Sequence, residues 1–430
     1  MPGDSSHPGC RQAIGIGAEA EIEITGLGLA GDAIGTLEGH SVFVPHAAPG
    51  DRLRVRLERA VEGGWRGRIL ALLCEGPGRV AAPCPHFADC GGCSLQHLAE
   101  PAHRRWKQAL VAQALARRGL AAPVARLICI PAGFRRRASL AAEAGSTGIR
   151  LGFNAAASAR VVDLSTCLLL TPRLRALLGP LRAALRPVLR PGERADALVT
   201  DTDSGIDLWL QIGQGPSDAG RRSLIALAEA QDLARVSVGP GAEPLLLRRP
   251  PRVRFGTVGV DLPPGAFLQP SAPGEAVLVR AVTAAMRGRR RVADLFAGCG
   301  TFTFALAAAA TLHAVEGDAA AHEALVAAAR HIPGRVTAER RDLARLPLDP
   351  GELSAFDAVL LDPPRAGAKA QAKAIAGSRL DLAVYVSCEP RSFARDARLL
   401  IDGGWRLERV LPVDQFPWAA HVELVGVFRR

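Results

Sequence analysis

The chain has 430 residues, 48% of them hydrophobic, with 45 Gly, 31 Pro and a net charge of +11. That length is enough for two or three domains with substantial cores, and no run reaches the roughly 18 apolar residues of a membrane span, the best candidate, Thr301 to Val315, being broken by His313. The charge suits a polyanionic partner, because arginines displace condensed counterions from phosphates; with only Lys107, Lys369 and Lys373 as lysines, the arginine excess also has a compositional reading.

Residues 1–17 carry Asp4 but neither periodicity nor the apolar core of a secretory signal, and are expected to be a flexible tail on a cytoplasmic protein. Over 18–75 the texture changes to short alternating runs, AEIEITGLG, SVFVPHA, RLRVRLERAV and WRGRILALL, separated by Gly and Pro. This predicts a small antiparallel barrel of about five strands. Arg52, Arg54 and Arg56 alternate with Leu53, Val55 and Leu57, so a period of two puts the arginines together on one outward face. That face is either a solvated strand surface or a contact for a polyanion.

Cys84, Cys90 and Cys93 follow in one loop, in a chain of nine cysteines. Three thiols that close fall one short of the four ligands of a zinc or iron-sulfur site; a disulfide framework is not expected in a reducing compartment. On spacing alone zinc is the commoner setting of Cys-x-x-Cys, with His86 as a competing ligand. Pro101 to Leu120 has helical spacing at Trp106, Leu110, Ala114 and Arg118, and the remainder of 76–265 mixes both periods, as in an α+β insert.

Over 266–430 strand, turn and helix alternate: RRVADLF, TLHAVEGD, RVTAERRD, FDAVLLDPP and LAVYVSCEP each end in turn or acidic residues. Such alternation predicts a doubly wound, Rossmann-like parallel sheet, which binds ligands at the carboxyl ends of its strands. A Gly-rich turn, Phe296-Ala297-Gly298-Cys299-Gly300-Thr301, lies at the first end, Glu316 at the second, Asp342 at the third and Asp362-Pro363-Pro364 at the fourth. Close backbone approach at the glycines and a carboxylate to accept ribose hydroxyls are nucleoside-binding chemistry. The aspartates have a second reading, as caps of the turns that follow. Val386-Ser387-Cys388 puts a thiol on the same rim, where a helix N-terminus and Arg391 are expected to lower its pKa; the commoner fate of such a cysteine is burial in the core. Glu423, in His421-Val422-Glu423, is either a surface strand residue or a partner for that thiol.

The Gly-rich turn with its strand-end acids resembles the class I S-adenosylmethionine-dependent methyltransferases. In order, DLFAGCGTFT, DPPRAG, VSCEP, PVDQFP and HVE resemble the RNA uracil-5 methyltransferase family over nearly the whole chain, and the GLG, VFVP and PGD segments of the barrel resemble the TRAM domain found on RNA-modifying enzymes. The resemblance implies a multidomain protein: a class I methyltransferase domain, an N-terminal TRAM or OB-like barrel and the central insert. It implies S-adenosylmethionine held by Gln269, Phe296, Gly298, Gly300, Thr301, Glu316, Asp342 and Asp362. It makes Cys388 the nucleophile toward uracil carbon 6 and Glu423 the base that removes the carbon 5 proton. It also implies a [4Fe-4S] cluster on Cys84, Cys90, Cys93 and Cys167, and RNA as substrate, 23S rRNA rather than tRNA, for a monomer. Three positions depart from the family's usual residues: Ser271 and Glu389 each stand where Asn is usual, and Trp418-Ala419-Ala420 replace a His-Thr-rich stretch. Other readings are an RNA cytosine-5 methyltransferase, an adenine amino-methyltransferase using Asp362-Pro363-Pro364, and a catalytically silent RNA-binding protein.

Overall fold

The computed structural model describes residues 15–430. Most of the expected tail, and Cys10 with it, lies outside the described residues. The chain forms two compact units. One takes the residues up to Phe87 with Cys93–Trp106 and Trp418–Ala420; the other takes Ala88–Gly92, Lys107–Pro417 and His421–Arg430.

The first unit holds a closed five-stranded barrel, β1 (Glu19–Leu27), β2 (Ala33–Leu37), β3 (His40–Val44), β4 (Arg52–Val61) and β5 (Gly64–Cys74), in the order β1-β2-β3-β5-β4 with β4 returning to β1. The alternation that predicts it is the one it uses: Ile22, Ile24, Val42, Val44, Leu53, Val55 and Leu57 point inward. β2 lies in a Gly-rich stretch that sequence reading passes over; Gly35 is required there, since a Cβ would stand 2.9 Å from the Glu23 carbonyl oxygen. The outward arginines do not stand alone. In the β1–β4 register Glu19, Glu21 and Glu23 lie opposite Arg56, Arg54 and Arg52, with ion pairs of 2.5 Å for Arg56–Glu19 and 3.4 Å for Arg54–Glu21. The face is a ladder of mutually neutralised charges, because Glu on β1 follows the same period of two as Arg on β4.

Helix α1 (Glu100–Ala116) starts in the first unit and ends in the second. The second unit contains two large sheets. After the two-residue strand β6 (Ile128–Cys129), the chain builds β7 (Arg137–Gly145), β8 (Gly148–Gly152), helix α2 (Pro172–Ala184), β9 (Arg194–Thr202), β10 (Gly205–Gln211), helix α3 (Asp218–Ala230), β11 (Leu233–Val238) and β12 (Glu243–Leu247). These strands make a six-stranded sheet, β12-β11-β10-β9-β7-β8, on which α2 and α3 pack, the expected α+β insert. A ribbon of β13 (Arg252–Phe255) and β14 (Val258–Asp261) leads out of it.

The other sheet has eight strands. Helix α4 (Ala272–Ala285) precedes β15 (Arg291–Leu295), α5 (Thr301–Leu306), β16 (Thr311–Glu316), α6 (Ala319–Ala329), β17 (Val336–Arg340), α7 (Pro350–Leu353), β18 (Ala358–Leu361), α8 (Lys369–Gly377), β19 (Leu382–Ser387), α9 (Pro390–Asp402), β20 (Arg406–Asp414) and β21 (Glu423–Arg429). The order is β17-β16-β15-β18-β19-β21-β20-β6, parallel through β19 and then closed by the antiparallel β21. Both faces are covered. Val292, Leu360 and Val384 meet α4 and α5, whereas Ala293, Leu361 and Tyr385 meet α1, α8 and α9. Strands buried on both faces read as the continuous apolar runs AVLL and LAVYV, as a parallel sheet requires. Among the described residues no helix is long and apolar enough to cross a membrane.

Candidate active site

The first strand end is built by backbone conformations that few residues tolerate. After β15, Phe296, Gly298 and Gly300 have φ of +64°, +56° and +94°, all in the left-handed region where a bulky residue is strained. A side chain at Gly300 would run into the Phe304 ring, whereas the space at Gly298 is open. The Gly298 N–H donates to Glu316 Oε2 at 2.7 Å, and Asp318 N–H to Oε1 at 2.7 Å, so the glycine turn and the carboxylate ending β16 hold each other in place. Thr301 opens α5 directly behind Gly300.

Two further acids sit deeper. Asp294, within β15, is fully buried; it accepts Thr303 Oγ1 at 2.5 Å on one oxygen and has no partner on the other. Burial first, offset in part by Thr303 and reinforced by Glu316, raises its pKa to about 7. Asp362, after β18, is also raised to about 7, by burial and then by Asp294. Asp342 is different: it is exposed, accepts its own turn's Ala344 N–H at 3.0 Å and pairs with Arg345 at 3.4 Å. The turn-capping reading describes its present contacts.

A chain of amides ties the segment before α4 to this rim. Gln269 is buried, donates Nε2 to Asp362 Oδ2 at 3.3 Å and accepts Gln415 Nε2 at 3.0 Å. Gln415 Oε1 in turn accepts Ser271 Oγ at 3.1 Å. Ser271 also caps α4 through Gly274 N–H, and a side chain at Gly274 would run into Gln415. The sequence departure at Ser271 therefore places a residue that both starts a helix and ends this network.

Cys388 and Glu423 meet through strand register. β19 and β21 are antiparallel with Ser387 opposite Leu424, so one step further the register puts Cys388 across from Glu423. Glu423 is only 4% exposed, which removes the surface-strand reading. Burial, then Asp362, raises its pKa to about 8, against a smaller opposing influence of Arg365. The expectation that the Cys388 thiol has a lowered pKa is corrected: burial first, then Glu423 and Asp362, push it up to about 11. Two neighbouring carboxylates and desolvation outweigh a cation and a helix end. The cation concerned is Arg365, not Arg391. Arg365 lies 3.2 Å from His421 Nε2, whose pKa burial and then Arg365 lower. Glu389, the second departure, is the N-cap of α9, accepting Arg391 N–H at 3.1 Å.

Sequence reading assigned no role to Asp294, Gln415, Arg365 or the buried pair Lys107–Asp414. Lys107 is completely buried and donates Nζ to Asp414 Oδ1 at 2.5 Å and to the Phe416 carbonyl at 2.8 Å. Only the rarity of lysine in this chain signalled it. Phe267, 61% exposed, carries the Arg137 guanidinium over its ring at 5.2 Å.

The expected cluster ligands are shared out differently. Cys84 and Cys93 belong to the first unit, Cys90 and the buried Cys167 to the second. Among the described residues no three or more His, Cys, Asp or Glu form a group that could hold a metal ion. Gly92 N–H donates to Cys90 Sγ at 3.4 Å.

Known proteins are similar to this chain in sequence and in fold. Residues 260–430 match the tRNA (Uracil-5-)-methyltransferase family and residues 16–70 the TRAM domain. An uncharacterized RNA methyltransferase of Brucella suis biovar 1 is 41% identical over 413 residues, 95% of this chain and 98% of the relative. The 23S rRNA (uracil(1939)-C(5))-methyltransferase RlmD of Chromohalobacter salexigens is 36% identical over 409 residues, 91% of this chain and 85% of that one. In fold, the chain is similar to the Pyrococcus abyssi tRNA (uracil-54, C5)-methyltransferase, solved with S-adenosyl-L-homocysteine, at a TM-score of 0.74 and 23% identity over 95% of this chain and 100% of that one. With relatives above 30% identity along nearly their whole length, and the matching catalytic segment and barrel, the chain belongs to the RNA uracil-5-methyltransferase family.

Proposed function

We propose that the chain methylates carbon 5 of a uridine in 23S rRNA, with Cys388 as nucleophile and Glu423 as base. The observation that carries this reading is the β19–β21 register, which sets a partly buried thiol across from a buried carboxyl on the rim of the glycine turn. S-adenosylmethionine supplies an electrophilic sulfonium methyl. Phe296, Gly298, Gly300 and Thr301 would hold its methionine end, Glu316 the ribose, Asp342 the adenine side, and Gln269 and Asp362 the region facing the target.

The chain's own residues then have distinct tasks. Cys388 must lose its proton before it can add to carbon 6; Glu423 and Asp362, titrating at about 8 and about 7, are the neighbouring acceptors. As the sulfur–carbon 6 bond forms, the ring double-bond pair moves toward the carbon 4 oxygen, which leaves carbon 5 nucleophilic. After methylation, ionised Glu423 takes the carbon 5 proton, the double bond re-forms and the sulfur leaves with its bonding pair. Arg365 favours the ionised forms of both residues.

The 23S substrate rests on the likeness to RlmD along both chains; methyl transfer to tRNA but not to 23S rRNA would replace it. The reading includes a cytoplasmic monomer. A [4Fe-4S] cluster on Cys84, Cys90, Cys93 and Cys167 rests on the family resemblance, since spacing alone favours zinc. Brown anaerobically purified protein that bleaches in Cys90→Ser is expected, and colourless protein with stoichiometric zinc would remove the cluster.

The test of the central reading separates the two residues by step. Cys388→Ala should give neither product nor adduct while still binding S-adenosylmethionine. Glu423→Gln should transfer the methyl and stall, leaving a labelled protein–RNA adduct that survives denaturing electrophoresis. Full turnover by Cys388→Ala overturns the reading.

A further inference from the structure

Charge is distributed unevenly along the chain. The barrel strands, Glu19 to Cys74, carry six arginines against eight acids. Residues 107–265 carry 22 Lys and Arg against 12 Asp and Glu, and residues 266–430 carry 21 against 18. Nearly all the net positive charge therefore belongs to the segment that builds the six-stranded sheet. The barrel, whose arginine face looks like a phosphate contact in sequence, is net acidic and has spent those arginines on β1 glutamates.

Within the basic segment many arginines are also spent. Arg150 pairs with Glu143, Arg173 with Asp201, Arg235 with Asp207, and Arg248 and Arg249 with Asp232. Four that are not spent lie together. Arg186 and Arg190 sit in the connection after α2, and Arg221 and Arg222 in the first turns of α3. The residues flanking the α3 pair touch that connection: a Cβ at Gly220 would stand 3.1 Å from the Pro187 carbonyl oxygen, and Ser223 Oγ donates to the Ala184 carbonyl at 3.0 Å. All four arginines are exposed, and none enters an ion pair or side-chain hydrogen bond among the described residues. Two acids lie nearby. Glu193 accepts the Arg190 backbone N–H at 2.9 Å, and Asp218 is the first residue of α3.

From this, and resting on the RNA reading above, we infer that the α2–α3 surface, through Arg186, Arg190, Arg221 and Arg222, is where the protein grips the phosphate backbone of its RNA, and that the β1–β4 face of the barrel contributes no net phosphate neutralisation. Guanidinium groups held by no carboxylate release counterions on binding, whereas a paired arginine must first give up its partner.

The test uses the full chain and protein-free 23S rRNA, with binding by filter retention from about 50 to about 200 mM salt. Replacing all four arginines by Gln should lower the slope of log K against log salt by about 3 to 4, at about 0.7 to 0.9 for each phosphate left without its arginine. The four Arg→Lys replacements should keep the slope, which separates charge from folding. Arg52, Arg54 and Arg56 replaced together by Gln should leave it unchanged. An unchanged slope in the quadruple Gln variant, or an equal loss in the barrel variant, overturns the inference while wild-type methyl transfer to 23S rRNA leaves the functional reading standing. Wild type that neither binds nor methylates that RNA defeats the functional reading itself.

Discussion

The raised pKa of Cys388 makes a quantitative prediction about the free enzyme. At pH 8 a thiol titrating at about 11 is ionised roughly one part in a thousand, against roughly one part in ten for a thiol at its ordinary 9.0. Because the thiolate is the attacking species, alkylation by iodoacetamide at pH 8 should be about 100-fold slower than for a thiol at 9.0 of the same access. Access alone also slows alkylation, so the informative quantity is the pH profile. The Cys388 rate, followed by peptide mass spectrometry with exposed Cys74 as internal reference, should rise about tenfold per pH unit without levelling below about pH 10. Glu423→Gln removes one of the two carboxylates that disfavour the thiolate, so its profile should move to lower pH, and Arg365→Met should move it the other way. A Cys388 profile that levels near pH 7 to 8 in the wild type would refute the argument that burial and two carboxylates outweigh the cation.

Stability should fall as pH rises. Asp294, Asp362 and Glu423 have folded-state pKa values of about 7, about 7 and about 8, above their ordinary 3.8, 3.8 and 4.5. The folded chain thus holds more protons than the unfolded one between those limits, and stability present below about pH 4 is lost through pH 7 to 8 at up to about 1.4 kcal/mol per unit for each group. Melting temperatures from pH 5 to 8.5 should show this decline, shallower in Asp362→Asn. Lys107→Met should cost about 3 to 5 kcal/mol in urea unfolding by stranding Asp414 in a buried site, and adding Asp414→Asn should recover much of it. Gly274→Ala should displace Gln415, break its link to Gln269 and weaken S-adenosylmethionine binding in calorimetry without unfolding the chain; unchanged affinity would detach the amide network from the cofactor site.

What sequence made legible was what strand periodicity and local motifs encode. The barrel, the five parallel strands and the placing of the glycine turn, Glu316, Asp362 and Cys388 at strand ends follow from alternation and from where apolar runs stop. The pairing of Cys388 with Glu423 depends on the register of two strands 35 positions apart, which local pattern does not specify; the HVE motif carried it by resemblance. The sign of the Cys388 shift was lost for a related reason. Arg391 is adjacent in sequence and visible there, whereas Glu423 and Asp362 arrive through the fold. The arginine face of β4 was read without its β1 partners, although Glu19, Glu21 and Glu23 show the same period.

The outermost strand of the eight-stranded sheet is β6, two residues made early in the chain, and it pairs with β20 at Val413 and Asp414. Val111, Leu115, Leu120 and Leu127 lie in the same core as Leu361, Tyr385 and Phe428. On the ribosome these early residues emerge some 285 positions before their partner strand. The layer holding Cys388 cannot be finished until β20 and β21, the last strands of the chain, have left the exit tunnel. Such long-range closure is slow, and a nascent chain stalled before Arg406 presents an uncovered edge of β19 together with an apolar α1 surface. An unpaired strand edge beside an apolar face is a template for aggregation, so a chain truncated before Arg406 is expected to aggregate.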